Sequence, residues 1–113
     1  MIAGISASLS GLSAFGNMLS NTADNVANVN TDGYKSTKAT ITEDPVGLPQ
    51  VTLTTSDSPG ATITEGGQTR ETSNVDLAWE LPQMIIAQSG YEANIKALSA
   101  QSHILKTTID MMV

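Results

Sequence analysis

Residues 2–28 read IAGISASLSGLSAFGNMLSNTADNVAN, and two columns of side chains recur in them every seven residues: Ile2, Leu9, Gly16 and Ala23, then Ile5, Leu12, Leu19 and Val26. That spacing describes a helix with a narrow apolar seam. Residues 77–112 carry a second pattern of the same kind, with Leu77, Met84, Tyr91, Leu98, Leu105 and Met112 beside Leu81, Gln88, Ile95, Ser102 and Ile109. Sustained 3.5-residue spacing is what lets two helices keep such seams in contact. The expected fold is therefore mainly α, with long N- and C-terminal helices pairing as an antiparallel coiled coil around a small central β-hairpin or β flap. Ile5, Leu12, Leu19 and Val26 should pack against Tyr91, Ile95, Leu98, Leu105 and Ile109, with Leu81 and Met84 continuing the seam.

Outward from these seams, the first helix should stop near Asn28, because Asn28, Asn30 and Asp32-Gly33 favour turns and left-handed backbone. Gly4, Gly11 and Gly16 each weaken it by up to about 1 kcal/mol relative to alanine, but they let a neighbouring helix come close. The stretch 36–73 is rich in Thr, Ser, Gly and Pro; Ala39–Thr42, Val51–Thr54 and Ala61–Thr64 read as short strands between turns. A second helix should start at a cap among Ser73, Asn74 and Asp76 and run to about Met112, kinked or restarted near 80–82 because Pro82 lacks an N–H donor. The organisation expected is a discontinuous helical core from 1–35 and 74–113 with a β flap over 36–73.

Composition narrows function. The chain has 113 residues, a net charge of −6 and only one Phe, two Tyr and one Trp, so a self-sufficient core would be thin and partner chains would supply burial. Nucleic acid is not an expected partner, since phosphate binding needs clustered Lys and Arg and this chain has five in all. Without cysteine there is no disulfide, thiolate nucleophile or thiolate-held metal. Residues 1–23 are uncharged, yet serines and asparagines interrupt the apolar run; neither a cleaved signal peptide nor membrane insertion is expected.

The motifs that could carry chemistry fall short. Asn28 to Gly33 has the outline of a calcium loop, but Asn28 stands where the first acidic ligand belongs and Ala39 where the closing glutamate belongs. His103 has no acidic neighbour three or four residues away on its helix, and the serines lie in no nucleophile elbow. No catalytic residue, cofactor, metal or small-molecule substrate is expected.

Two stretches point elsewhere. Ala23-Asp24-Asn25-Val26-Ala27-Asn28-Val29-Asn30-Thr31-Asp32-Gly33-Tyr34-Lys35, with Ser10-Gly11-Leu12-Ser13-Ala14 before it, resembles the N-terminal signature of the bacterial flagellar axial proteins, the rod, hook and hook-associated family. Ser73-Asn74-Val75-Asp76-Leu77-Ala78, then Met84-Ile85, Gln88 and Tyr91 to Lys96, resembles that family's closing helix. The resemblance covers roughly 75 of the 113 residues in the right order. It implies a structural, self-assembling subunit of the rod or hook-basal body, with copies of itself and other axial proteins as partners. It also implies passage through the flagellar type III export apparatus without a cleaved signal, and residence in the periplasmic rod or extracellular hook region. Asn25, Asn28, Asn30, Asp32, Gly33 and Tyr34 form the signature turn, with the asparagines expected to satisfy backbone groups at the helix-to-flap junction. The short middle is closer in size to small rod members than to the hook. The alternative class is a small secreted helical-hairpin protein acting as a soluble dimer or effector, which calls for a tight interhelical turn that this chain lacks.

Overall fold

In the computed structural model, which describes residues 2–113, the chain forms two helices and two hairpins. The elements are α1 (Ile2–Ala27), β1 (Thr37–Glu43), β2 (Pro49–Thr55), β3 (Thr62–Glu65), β4 (Gln68–Glu71) and α2 (Leu77–Met112). The whole is a rod of 79 × 25 × 16 Å. At 1.5 Å per residue α2 alone spans about 54 Å and α1 about 39 Å.

The helix ends follow local chemistry. At the end of α1 the Asn28 side-chain amide donates to the Asp24 carbonyl (2.8 Å), and Gly33 takes φ +70° in the turn that follows. Asp76 caps α2 by accepting from the Ala78 N–H at 2.9 Å. The restart offered as one outcome at Pro82 does not occur: α2 runs through it as a single helix. The carbonyl that Pro82 would have bonded is that of Ala78 in the first turn, which is exposed, so water can replace the missing donor.

The middle is two separate antiparallel hairpins. In the first, Thr37 pairs with Thr55 and Glu43 with Pro49, and the loop is held by the Asp44 carboxylate accepting from Val46 and Leu48 N–H. Thr37, Ala39, Ile41 and Val51 turn inward towards α1, and the Ser10 hydroxyl donates to the Pro49 carbonyl at 2.7 Å. The second hairpin includes a strand that periodicity does not reveal, Gln68–Glu71, which has no alternating apolar side chains. It forms because Gly66 and Gly67, both at positive φ, make the two-residue turn that reverses a hairpin. This hairpin is almost wholly exposed.

The helices do pair antiparallel, but through a face one step away from the expected seam. Gly4 abuts Gln101, Gly11 abuts Asn94 and Asn25 bonds Glu80; the same register places Met18 opposite Ala87, both buried. Each rung is seven residues further along α1 and seven back along α2. A heptad repeat is therefore present, and its inner column is small and polar. The physical reason is distance: glycine opposite an amide brings the backbones together, and the large apolar columns are pushed to the flanks.

Glycines on this interface make opposite predictions. A Cβ on Gly90 would overlap the Phe15 ring, whereas a Cβ on Gly16 would sit 3.6 Å from Tyr91 in ordinary contact. Gly16→Ala should therefore raise stability by up to about 1 kcal/mol through helix propensity. Gly90→Ala should lower it by about 1 kcal/mol, because overpacking of roughly 1–3 kcal/mol outweighs the same propensity gain. Thermal melting of the two variants checks the sign of each.

α1 is also long and apolar enough to cross a membrane by length and composition, which corrects the expectation that its serines and asparagines rule this out. Here one face meets α2 and another meets the first hairpin.

Candidate assembly surface and helix junction

Asn25 is the centre of the junction. It is fully buried, and its side chain spends its whole hydrogen-bonding capacity. Nδ2 donates to the Thr37 carbonyl (2.7 Å) and to Glu80 Oε1 (2.9 Å); Oδ1 accepts from the Thr37 N–H (3.0 Å) and from the Tyr34 hydroxyl (3.1 Å). One amide thus ties α1 to the start of β1, to α2 and to the signature turn. Asn21 adds a second donor to the Thr37 carbonyl at 2.6 Å.

A second asparagine repeats the device on the other side. Asn74 Oδ1 accepts from the Ser36 N–H at 2.6 Å, and its Nδ2 donates to the Ser58 carbonyl at 2.8 Å. Beside it Glu71 pairs with Lys35 and accepts from the Gly60 N–H, while the Glu71 carbonyl accepts from Gly33. Gly60 lies so close to the Thr72 carbonyl that any Cβ there would collide with backbone. Arg70 reaches back to Asp32 at 2.9 Å. The two ends of the chain are therefore knotted where the signature turn meets the segment before α2.

The carboxylates in this knot are tuned in opposite senses. Burial, then the nearby Asp76, pushes Glu80 above the ordinary carboxylate value, against the Asn25 hydrogen bond that lowers it. Glu71 is held below that value by the Lys35 ammonium and the Gly60 N–H. Burial, with Asp24 and Glu80 nearby, raises the Tyr34 hydroxyl. For Glu80 the folded state holds its proton more tightly than the unfolded chain, so its charge costs stability above the raised folded value, and that cost fades as pH falls through it. Glu80→Gln, which keeps an acceptor for Asn25, should therefore gain on the parent protein as pH rises from the ordinary carboxylate range to neutrality. Parallel melting curves of the two proteins across that range would contradict the assignment.

Of the expected seam residues, Ile5, Leu12, Leu19, Val26, Met84 and Leu98 are half-buried along the flanks of the interface. Leu81, Tyr91, Ile95, Leu105 and Ile109 are exposed, at 49, 38, 46, 42 and 52 %. Among the signature residues Asn25, Gly33 and Tyr34 enter the knot, and Asp32 joins it through Arg70. Asn28 bonds only within its own turn, and Asn30 is exposed outside the network. Asn25 and Asn28 thus both satisfy backbone groups at the junction, Asn25 across elements and Asn28 at the end of its own helix, whereas the Asn30 side chain does not take part. Glu80, Asn94 and Gln101 lie outside the apolar columns; with Ala87 they recur every seven residues, a signal that only polar heptads carry. Asn74 and Lys35 lie within the two resembling stretches.

α2 outruns α1. With Gly4 beside Gln101, the last turns of α2 have no helix against them among the described residues, and Ile104, Leu105, Ile109, Met111 and Met112 stand between 42 and 82 % exposed. Among the described residues no three metal-ligating side chains come together. The result is a thin rod with a polar joint at one end and apolar stripes facing outward, the kind of exposed surface that marks an interaction face.

The comparisons agree with that class. Residues 5–35 match the family described as flagella basal body rod protein, and residues 68–111 match the flagellar basal body rod FlgEFG protein C-terminal family. The chain belongs to the flagellar basal body rod and hook family, a structural rather than enzymatic one. It is 42% identical over 50 residues to the flagellar hook protein FlgE of Escherichia coli (strain K12), covering 44% of this chain and 12% of that protein. It is 44% identical over 41 residues to FlgE of Salmonella typhimurium, covering 36% and 10%, and 40% identical over 45 residues to FlgE of Helicobacter pylori, covering 40% and 6%. The chain thus spans about a tenth of the length of these hook proteins or less.

Proposed function

We propose that this chain is a structural, self-assembling subunit of the flagellar rod or hook-basal body. The observation that carries the reading is the outward apolar stripe of α2, which α1 leaves open along its length. A subunit that meets its neighbours through different surfaces on its two sides makes contacts that do not close, and their repetition gives a helical tube. In this reading the half-buried flanks at Ile5, Leu12, Leu19, Val26, Met84 and Leu98 and the exposed Leu81, Tyr91, Ile95, Leu105 and Ile109 become buried against other axial subunits. The knot around Asn25 sets the angle at which the hairpins leave a helical core made of 1–35 and 74–113. Its partners are copies of itself and neighbouring axial proteins, reached through the type III export apparatus without a cleaved signal, in the periplasmic rod or the hook region.

The reading is tested by isolating hook-basal bodies from cells expressing the chain and from cells lacking it. The chain should co-purify with the axial structure, and its loss should shorten or abolish that structure and motility. A chain found only in the soluble fraction, with motility intact in its absence, would remove the proposal.

A further inference from the structure

We propose that the cleft between β1 and the first turn of α2 is a binding site for an arginine guanidinium presented by a partner chain, held between the Trp79 ring and the Glu80 carboxylate. The site is separate from the outward stripe of α2 and does not depend on the axial-subunit reading.

Glu80 is 6 % exposed, and Asn25 occupies only its Oε1, at 2.9 Å; Oε2 takes no hydrogen bond. The residue lines two adjoining cavities that share Thr37, Lys38 and Trp79. The inner one, of about 10 Å³ and backed by Met18 and Thr22, has room for a single water. The outer one is a cleft of about 230 Å³ with Ser36 and Ser56 on its walls, wide enough for one side-chain head. A desolvated carboxylate with an unused oxygen calls for a donor, and the fold supplies none.

The charge around this corner favours a cation. The groups that face Glu80 are Asp24 on α1, the Tyr34 hydroxyl in the signature turn, Lys38 on β1 and Asp76 ahead of α2. Among the described residues the ion pairs are Lys35–Glu71, Arg70–Asp32 and Arg70–Glu65, so Asp24, Asp76 and Glu80 all stand without one. The one cation at hand, the Lys38 ammonium, lies over the Trp79 ring at 4.8 Å from its centroid rather than on a carboxylate. The ring face is thus already offered to positive charge.

A guanidinium suits this pair of walls better than an ammonium does. It is planar and weakly hydrated, so it can stack on the indole while its fork of N–H donors reaches Oε2. A lysine head is a compact point charge that serves the ring or the carboxylate in turn, as Lys38 does here. Lys38 is exposed and tethered on β1, which makes it the internal competitor that swings into solvent when the guanidinium enters. Burial of Glu80 raises its proton affinity, so entry of a cation must compete with a proton there, and binding weakens as pH falls through the raised Glu80 value.

Trp79 is the one tryptophan of the chain, so its emission reads the site directly. Full-length protein at neutral pH and low salt, titrated with N-acetyl-arginine amide, should show a saturable change in Trp79 emission, and the neutral isostere N-acetyl-citrulline amide should show none. Glu80→Gln, which keeps an acceptor for Asn25, should weaken the arginine response by at least about tenfold with helix content unchanged, and should remove its pH dependence. Lys38→Ala should tighten it several-fold. The proposal is overturned by the absence of a saturable change in both the parent and Lys38→Ala, by an equal response to citrulline, or by a response that Glu80→Gln leaves intact. Tighter binding of N-acetyl-glutamate amide than of the arginine compound would overturn it too, by making Lys38 the centre of an anion site.

Discussion

Asn25→Ala should lower the unfolding free energy by about 3 kcal/mol or more, the largest loss expected of any single substitution here. Four hydrogen bonds converge on that one buried side chain. Truncation strands the Thr37 N–H and leaves the Glu80 carboxylate, itself 6 % exposed, without its donor. Each stranded buried group costs roughly 1–3 kcal/mol, more where it is charged. The Thr37 carbonyl loses least, because Asn21 also donates to it. For a chain of this size the melting temperature should fall by roughly 10 °C or more. Asn25→Asp should be worse at neutral pH than at pH near the carboxylate range: it removes both donors and sets a second carboxylate against Glu80. Equal destabilisation by Asp at both pH values would argue that the Asn25–Glu80 bond does not organise the junction.

Ile85→Asp has the second large effect, and on assembly rather than on folding. Ile85 is 69 % exposed, so the free chain should keep its melting temperature to within about 0.5 kcal/mol of stability. In an assembled tube the same side chain would be buried, and an unpaired charge forced into an apolar contact costs at least about 3 kcal/mol per contact, more than a hundredfold in affinity. Repeated at every subunit, that penalty should abolish incorporation and motility. Normal motility with normal incorporation of Ile85→Asp would show that this stripe faces no neighbour.

Much of the architecture was legible because it is written in periodicity and punctuation. The seven-residue columns gave both helices, the turn residues from Asn28 onward and the cap candidates Ser73, Asn74 and Asp76 bracketed their limits, and Ala39–Thr42 and Val51–Thr54 fell inside real strands. What periodicity could not rank was which column faces inward. A reading by hydropathy seats Leu, Ile and Tyr between the helices, whereas the close approach is made by Gly4, Gly11 and Gly90 against Gln101, Asn94 and Phe15. Where backbones approach that closely, volume decides before hydropathy does. β4 was hidden for a different reason: Gln-Thr-Arg-Glu is polar throughout, and it becomes a strand only because Gly66-Gly67 turns it onto β3 and Arg70 reaches Asp32. At the junction the type of residue was readable and the partners were not. Asn25, Asn28 and Asn30 look alike in sequence, and only the fold distinguishes the one that is buried among Thr37, Tyr34 and Glu80.

The most direct test of the account is the accessibility of the α2 stripe before and after assembly. A single Ile85→Cys placed in this cysteine-free chain should react readily with a maleimide in dilute free protein and should be protected when the same chain is probed in isolated hook-basal bodies. Equal labelling in the two states would contradict the claim that the outward stripe of α2 is the surface through which this subunit is built into the axial structure.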